Sequence, residues 1–121
     1  MYERAIEIDP EDLYPLVALS GLLVLIDDKI GAMSKYAAVL ELTDRAIRSG
    51  HSDHWIRFAR GEAFVAYDDV DTARCEFEHA MEYNPPPGDV QSEKEQLEAL
   101  LLAEWRVDAI TQAMAVLEGR H

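Results

Sequence analysis

The chain is poor in the residues that staple, break or ground a fold. It has one cysteine, Cys75, which excludes an internal disulfide and the clustered thiolates of structural zinc, and so points to a reducing compartment. Six glycines and five prolines, three of them consecutive, leave room for long uninterrupted elements. Basic residues are scarce, 11 against 24 acids, and the formal net charge is −13. Affinity for phosphate backbones and anionic lipid rests on lysine and arginine, so nucleic acid and membrane surfaces are excluded as partners. The same charge favours encounter with a basic protein or peptide. No apolar run reaches the roughly 20 residues of a membrane span. Leu16–Ile26 is too short and reads as a buried core helix. The opening Tyr2-Glu3-Arg4 lacks the pattern of a secretory signal, so a cytoplasmic location is expected. At 121 residues and 49% hydrophobic content, residues 1–121 make one globular domain.

What is present is helical periodicity, with no strand alternation. Tyr2, Ala5 and Ile6 mark a short helix over 2–8 that stops at Asp9-Pro10. Asp12 is placed to cap the next helix, with Pro15 in its first turn, and Asp27-Asp28 ends it. A helix follows over about 30–48 with Ile30, Met33, Ala37, Leu40 and Ile47 on one stripe, closed by Ser49-Gly50. Ser52 or Asp53 caps a helix over 55–67, and Asp68-Asp69 turns it into another over 70–83. Asn84-Pro85-Pro86-Pro87-Gly88 is the clearest break. Beyond it, Ser92-x-x-Glu95 reads as a capping box for one long helix over 89–121. Its stripe is Leu100, Ala103, Val107, Ile110, Met114 and Leu117, a heptad-like spacing suited to a terminal capping helix or a self-association seam.

An internal repeat makes the reading more specific. Gly61, Phe64, Val70, Ala73, Phe77, Ala80 and Pro85 alternate small and aromatic positions along a helix pair. Gly61 and Ala73 let two backbones approach, Phe64 and Phe77 fill the space beside them, and Pro85 ends the second helix. This pattern resembles the tetratricopeptide repeat family, departing from it where Arg57 and Arg60 stand at the family's early Trp and Leu positions; Trp55, Ile56 and Phe58 are the nearby substitutes. Tyr2, Ala5 and Pro10 repeat the spacing of Phe77, Ala80 and Pro85, so residues 1–10 read as half a repeat. IDDKIGA at 26–32 echoes YDDVDTA at 67–73, 41 residues on, where the family period is about 34. Residues 12–50 are then an extended repeat and 53–85 a regular one. The resemblance covers residues 1–87 and implies an all-α antiparallel helix-turn-helix stack, a superhelix of about six helices, with residues 89–121 as its capping helix.

Candidate chemistry is sparse. His51-Ser52-Asp53-His54 holds metal-ligand types but occupies a turn where Ser and Asp are expected as caps. The Asp-Asp pairs lack the 12-residue loop of a calcium site. His79 has no evident partner in sequence, and Cys75 reads as a small core residue. There is no phosphate loop or nucleophile elbow, so no catalytic residue, metal or cofactor is expected. The resemblance implies binding by the first helix of each repeat, through Tyr14, Val17, Gly21 and Val24, then Trp55, Phe58, Glu62 and Val65. The partner is a protein or peptide, basic or apolar, and the role is scaffold, adaptor or chaperone. Two alternatives remain. Leu100, Val107, Ile110, Met114 and Leu117 suit a homodimer seam, and the chain also reads as a regulatory piece of a larger protein.

Overall fold

Four helix ends are written in short polar signals, and each closes in a recognisable way. The computed structural model describes residues 10–103 and 105–119, with side chains from residue 16 onward, residue 102 excepted. At both Asp-Asp turns the first aspartate takes a left-handed conformation, φ 65° at Asp27 and 62° at Asp68. Its own amide and the next then satisfy the last carbonyls of the helix: Asp27 N to Val24 O and Asp28 N to Leu23 O at the first turn, Asp68 N to Val65 O and Asp69 N to Phe64 O at the second. The second aspartate caps the next helix, Asp28 accepting from Gly31 N and Asp69 from Thr72 N. Gly50, φ 84°, ends another helix by the same geometry. Asp53 begins the next by accepting from Ile56 N at 2.9 Å.

The described residues are all-α, six helices and no strand: α1 Pro10–Leu25, α2 Lys29–Arg48, α3 His54–Ala66, α4 Val70–Glu82, α5 Pro87–Leu102 and α6 Val107–Leu117. The expected helix over 2–8 lies outside them. Neighbours in sequence pair as hairpins, α1 with α2 and α3 with α4, and α2 packs on α3. α6 packs on α4 and on α5, while α5 returns to α1, so the sequence of neighbours closes on itself. The core is one cluster drawn from every helix, with Tyr36, Phe58, Phe77, Leu97, Leu100 and Ile110 its largest fully buried apolar members. Gly61 fits as expected: a Cβ there would stand 2.5 Å from the Phe77 ring.

Several expectations are corrected. α1 is already helical at Pro10, so Asp12 is no cap and Pro15 sits in the second turn. α5 starts at Pro87, whose missing N–H costs nothing at a helix start, so Ser92 and Glu95 lie inside the helix. On α2 the buried face is centred on Ala32, Tyr36, Val39, Thr43 and Ala46, because the Tyr36 ring takes the interior; Ile30 and Ala37 are exposed. Cys75 is exposed. The long terminal helix is two helices. α5 stops at Leu102, and Arg106 at φ 47°, ψ 52° starts α6. Trp105 is buried in that turn with Arg106 over its ring at 4.6 Å, and Arg106 Nε donates to Ala66 O at 2.9 Å, which ties the turn to the end of α3.

Candidate functional site

Of the residues expected to line an open groove, Val17, Val24, Phe58, Glu62 and Val65 are buried. Trp55 is half-buried, and the side chain of Tyr14 lies outside the description. Gly21 is also buried, where a Cβ would meet Gln96 Nε2 at 3.3 Å and Leu100 Cδ2 at 3.8 Å. The inner side of α1 and α3 is therefore covered, and its cover is α5. The self-association seam is corrected for the same reason. The turn at Arg106 divides the stripe: Leu100, Ile110 and Leu117 enter the core, Met114 is partly buried against it, and Ala103 and Val107 are exposed.

α5 meets α3 through polar groups. His54 Nε2 lies 2.9 Å from Asp89 Oδ2 at one end. Eight residues along α3, Glu62 Oε1 accepts from Gln96 Nε2 at 3.2 Å. Glu93, one turn before Gln96 on α5, stands close enough to Glu62 for each carboxyl to act on the other. These acids are 2% and 4% exposed. Burial pushes both carboxyls above the usual range, Glu93 further through the charge and the hydrogen bond of Glu62. Glu93 Oε2 has no partner, and neither has the hydroxyl of Tyr36, a wholly buried ring on α2. Burial and the nearby Glu62 and Glu93 drive the Tyr36 phenol far up, so it stays protonated.

The opposite side of α3 is charged and compensated. Arg57 Nη1 donates to Glu76 Oε1 at 3.0 Å and Arg60 Nε to Glu76 Oε2 at 3.2 Å. Arg60 Nη1 also reaches Asp44 and Thr43 Oγ1, and its guanidinium covers the Phe64 ring at 5.5 Å. The two arginines thus replace bulky apolar packing with a buried ion network joining α2, α3 and α4. Ile56 and Phe58 supply the apolar contacts of that turn.

No family model, curated protein or solved structure matches this chain. Function must therefore be read from the surface. Among the described residues no group of three or more His, Cys, Asp or Glu converges as metal ligands, and no helix is long and apolar enough to cross a membrane. The His51–His54 segment is a cap: Asp53 holds the helix start, His54 faces Asp89, and His51 is exposed. His79 is exposed beside Arg57, Glu82 and Tyr83 around a shallow cleft of about 370 Å³.

The exposed apolar surface lies elsewhere, on α1. Leu19, Leu22, Leu25 and Ile26 are exposed, and together with exposed Ala18 they fill one arc of roughly 120° around the helix, taking about 100° per residue. Ile30, 88% exposed at the start of α2, extends the patch past the Asp27-Asp28 turn. Sequence reasoning missed this face because α1 is apolar nearly all round, so periodicity does not tell its inside from its outside.

Proposed function

We propose that the chain is a tetratricopeptide-type protein-interaction module, acting as scaffold or adaptor, and that it engages its partner through the apolar side of α1 and Ile30. The succession of hairpins, the two matched Asp-Asp turns and the Gly61–Phe77 contact support the repeat reading. The observation that carries the binding role is the α1 face itself: five large aliphatic side chains exposed side by side on a chain of net charge −13. A contiguous apolar patch beyond roughly 300–600 Å² is rare on a monomer that binds nothing.

The occupant that fits is a helix of another protein with an aliphatic stripe bordered by lysine and arginine. A stable dimer needs about 800 Å² from each partner, more than one helix face offers, and two copies would each bring thirteen negative charges to the contact. A basic partner gains from that field.

The test is titration of the whole chain with a synthetic amphipathic helix carrying a leucine stripe flanked by lysines, beside the same peptide flanked by glutamates. The lysine peptide should bind, more weakly at high salt, and Leu22→Glu should abolish the binding while leaving the melting temperature in place. Equal binding of both peptides, or indifference to Leu22→Glu, overturns the proposal. Light scattering across a hundredfold dilution reads the second occupant: a persistent dimer broken by Leu22→Glu would assign this face to self-association instead.

A further inference from the structure

We propose that the α5–α6 hairpin is a protonation-dependent cover: Glu62 and Glu93 hold it over the inner side of α1 and α3 by sharing a proton, and loss of that proton releases it. The claim concerns this chain alone and stands whether or not α1 binds a partner.

The geometry makes the contact depend on a proton. Glu93 and Gln96 are three residues apart on α5, so they share a face, and both address Glu62. Two carboxylates cannot donate to one another, so Glu62 and Glu93 can hydrogen-bond only while one of them is an acid. No cation relieves the pair among the described residues. Arg57 and Arg60 leave α3 on its other side, held by Glu76 and Asp44. Lys94, next to Glu93 in sequence, points away to Glu118 at 3.4 Å. α2 contributes the Tyr36 hydroxyl, neutral and unpartnered. α1 contributes Ser20, whose hydroxyl is turned back to Leu16 O, and Gly21, where a Cβ would stand 3.3 Å from Gln96 Nε2. Full ionisation would therefore place two like charges in a dry contact with nothing to offset them.

The pH response has a definite direction. Burial raises both carboxyls in the docked state, so docking binds more protons than release does. By linkage the docked form is fully favoured at and below the ordinary carboxylate range and loses ground as pH rises through the raised values. Each proton surrendered lowers the docking constant by up to about tenfold per pH unit in that window. Release would uncover the inner side of α1 and α3 around Gly21 and Glu62, and would loosen the seat of Trp105.

Hydrogen exchange on the full chain, read by mass spectrometry between about pH 6 and 9 and normalised to intrinsic amide chemistry, tests this. Protection of α5 and α6 should lie below that of α2 and α4 throughout, because the hairpin opens without global unfolding, and should fall with rising pH by up to tenfold per unit per proton. Glu93→Gln, which keeps the shape and fixes the neutral form, should remove most of that response; His54→Gln should retain it. A flat wild-type profile, or equal protection of all helices across the range, overturns the proposal. So does a full response in the Glu93→Gln chain. Should Glu93→Gln fail to fold, the wild-type profile and Glu62→Gln decide the matter alone.

Discussion

On its outer side α3 hands Arg57 and Arg60 to Glu76, so that one buried carboxylate meets two guanidinium groups. On its inner side the same helix hands Glu62 to Glu93, so that one buried carboxyl meets another. Both contacts join α3 to a neighbour and both are polar, yet they respond oppositely to change. The outer one is held together by fixed charge, because arginine does not deprotonate in proteins. The inner one is held together by a proton, which solution conditions can remove. A hairpin meant to stay, α3 with α4, carries the first kind; a hairpin placed over another surface, α5 with α6, carries the second.

The strongest way to break this contrast is to remove the carboxylate from the outer side. Glu76→Ala strands the Arg57 guanidinium and leaves Arg60 only Asp44 as a carboxylate partner, with the two side chains just 17% and 12% exposed, and breaking a buried pair this way costs about 3–5 kcal/mol. Urea denaturation at neutral pH measures it, and a loss below about 1 kcal/mol would place the pair in the class of solvent-screened bridges. The next effect is steric. Gly61→Leu drives a side chain into the Phe77 ring, where even a Cβ stands 2.5 Å away, and overpacking of this kind costs about 1–3 kcal/mol. Thermal melts read it directly, and a melt matching the parent would mean α3 and α4 do not approach as described.

How much of this was legible in the residues depends on whether local chemistry or distant packing decides the element. The Asp-Asp turns, the Gly50 stop, the Asp53 cap and the Gly61–Phe77 approach are local, and the sequence signals them by residue type. The break at Arg106 is not. Residues 103–107 hold neither glycine nor proline, and what bends the chain is burial of Trp105 together with the Arg106 bond to Ala66, forty residues upstream. The buried acids were hidden for a related reason. Glutamate is a good helix former and is almost always exposed, so nothing near Glu93 distinguishes it from its exposed neighbour Glu95. Glu62 was placed on the inner side, but as a groove residue, because its cover comes from a helix that the sequence pattern joins to α6. Arg57 and Arg60 read only as departures from the repeat pattern, since their partners, Asp44 and Glu76, stand on two other helices.

Smaller effects sharpen the contrast. The surface carboxylates ionise in the ordinary range, whereas burial holds Glu62 and Glu93 above it. Their raised values in the fold mean that the unfolded chain releases protons the folded chain keeps, and stability falls as pH rises, by up to about 1.4 kcal/mol per unit for each proton. Glu93→Gln should flatten that slope and come out more stable than the parent at the alkaline end. A parent slope that survives the substitution would return the effect to other groups.

The smallest effect serves as the reference for both sides of α3. Arg45 and Glu41 make a 2.6 Å bridge one turn apart on α2, shorter than any Arg57 or Arg60 contact to Glu76, yet their side chains are 38% and 63% exposed. Distance alone would rank this bridge above both contacts to Glu76. Solvent exposure ranks it last, because water and salt screen the pair and both long side chains lose freedom to make it. Arg45→Ala should therefore cost no more than about 0.5 kcal/mol at physiological salt, and that small cost should shrink further in high salt. The same salt titration on Glu76→Ala should change its cost little. If the two variants respond alike to salt, the outer network is not shielded from solvent, and fixed charge would no longer distinguish it from the contact made through a proton.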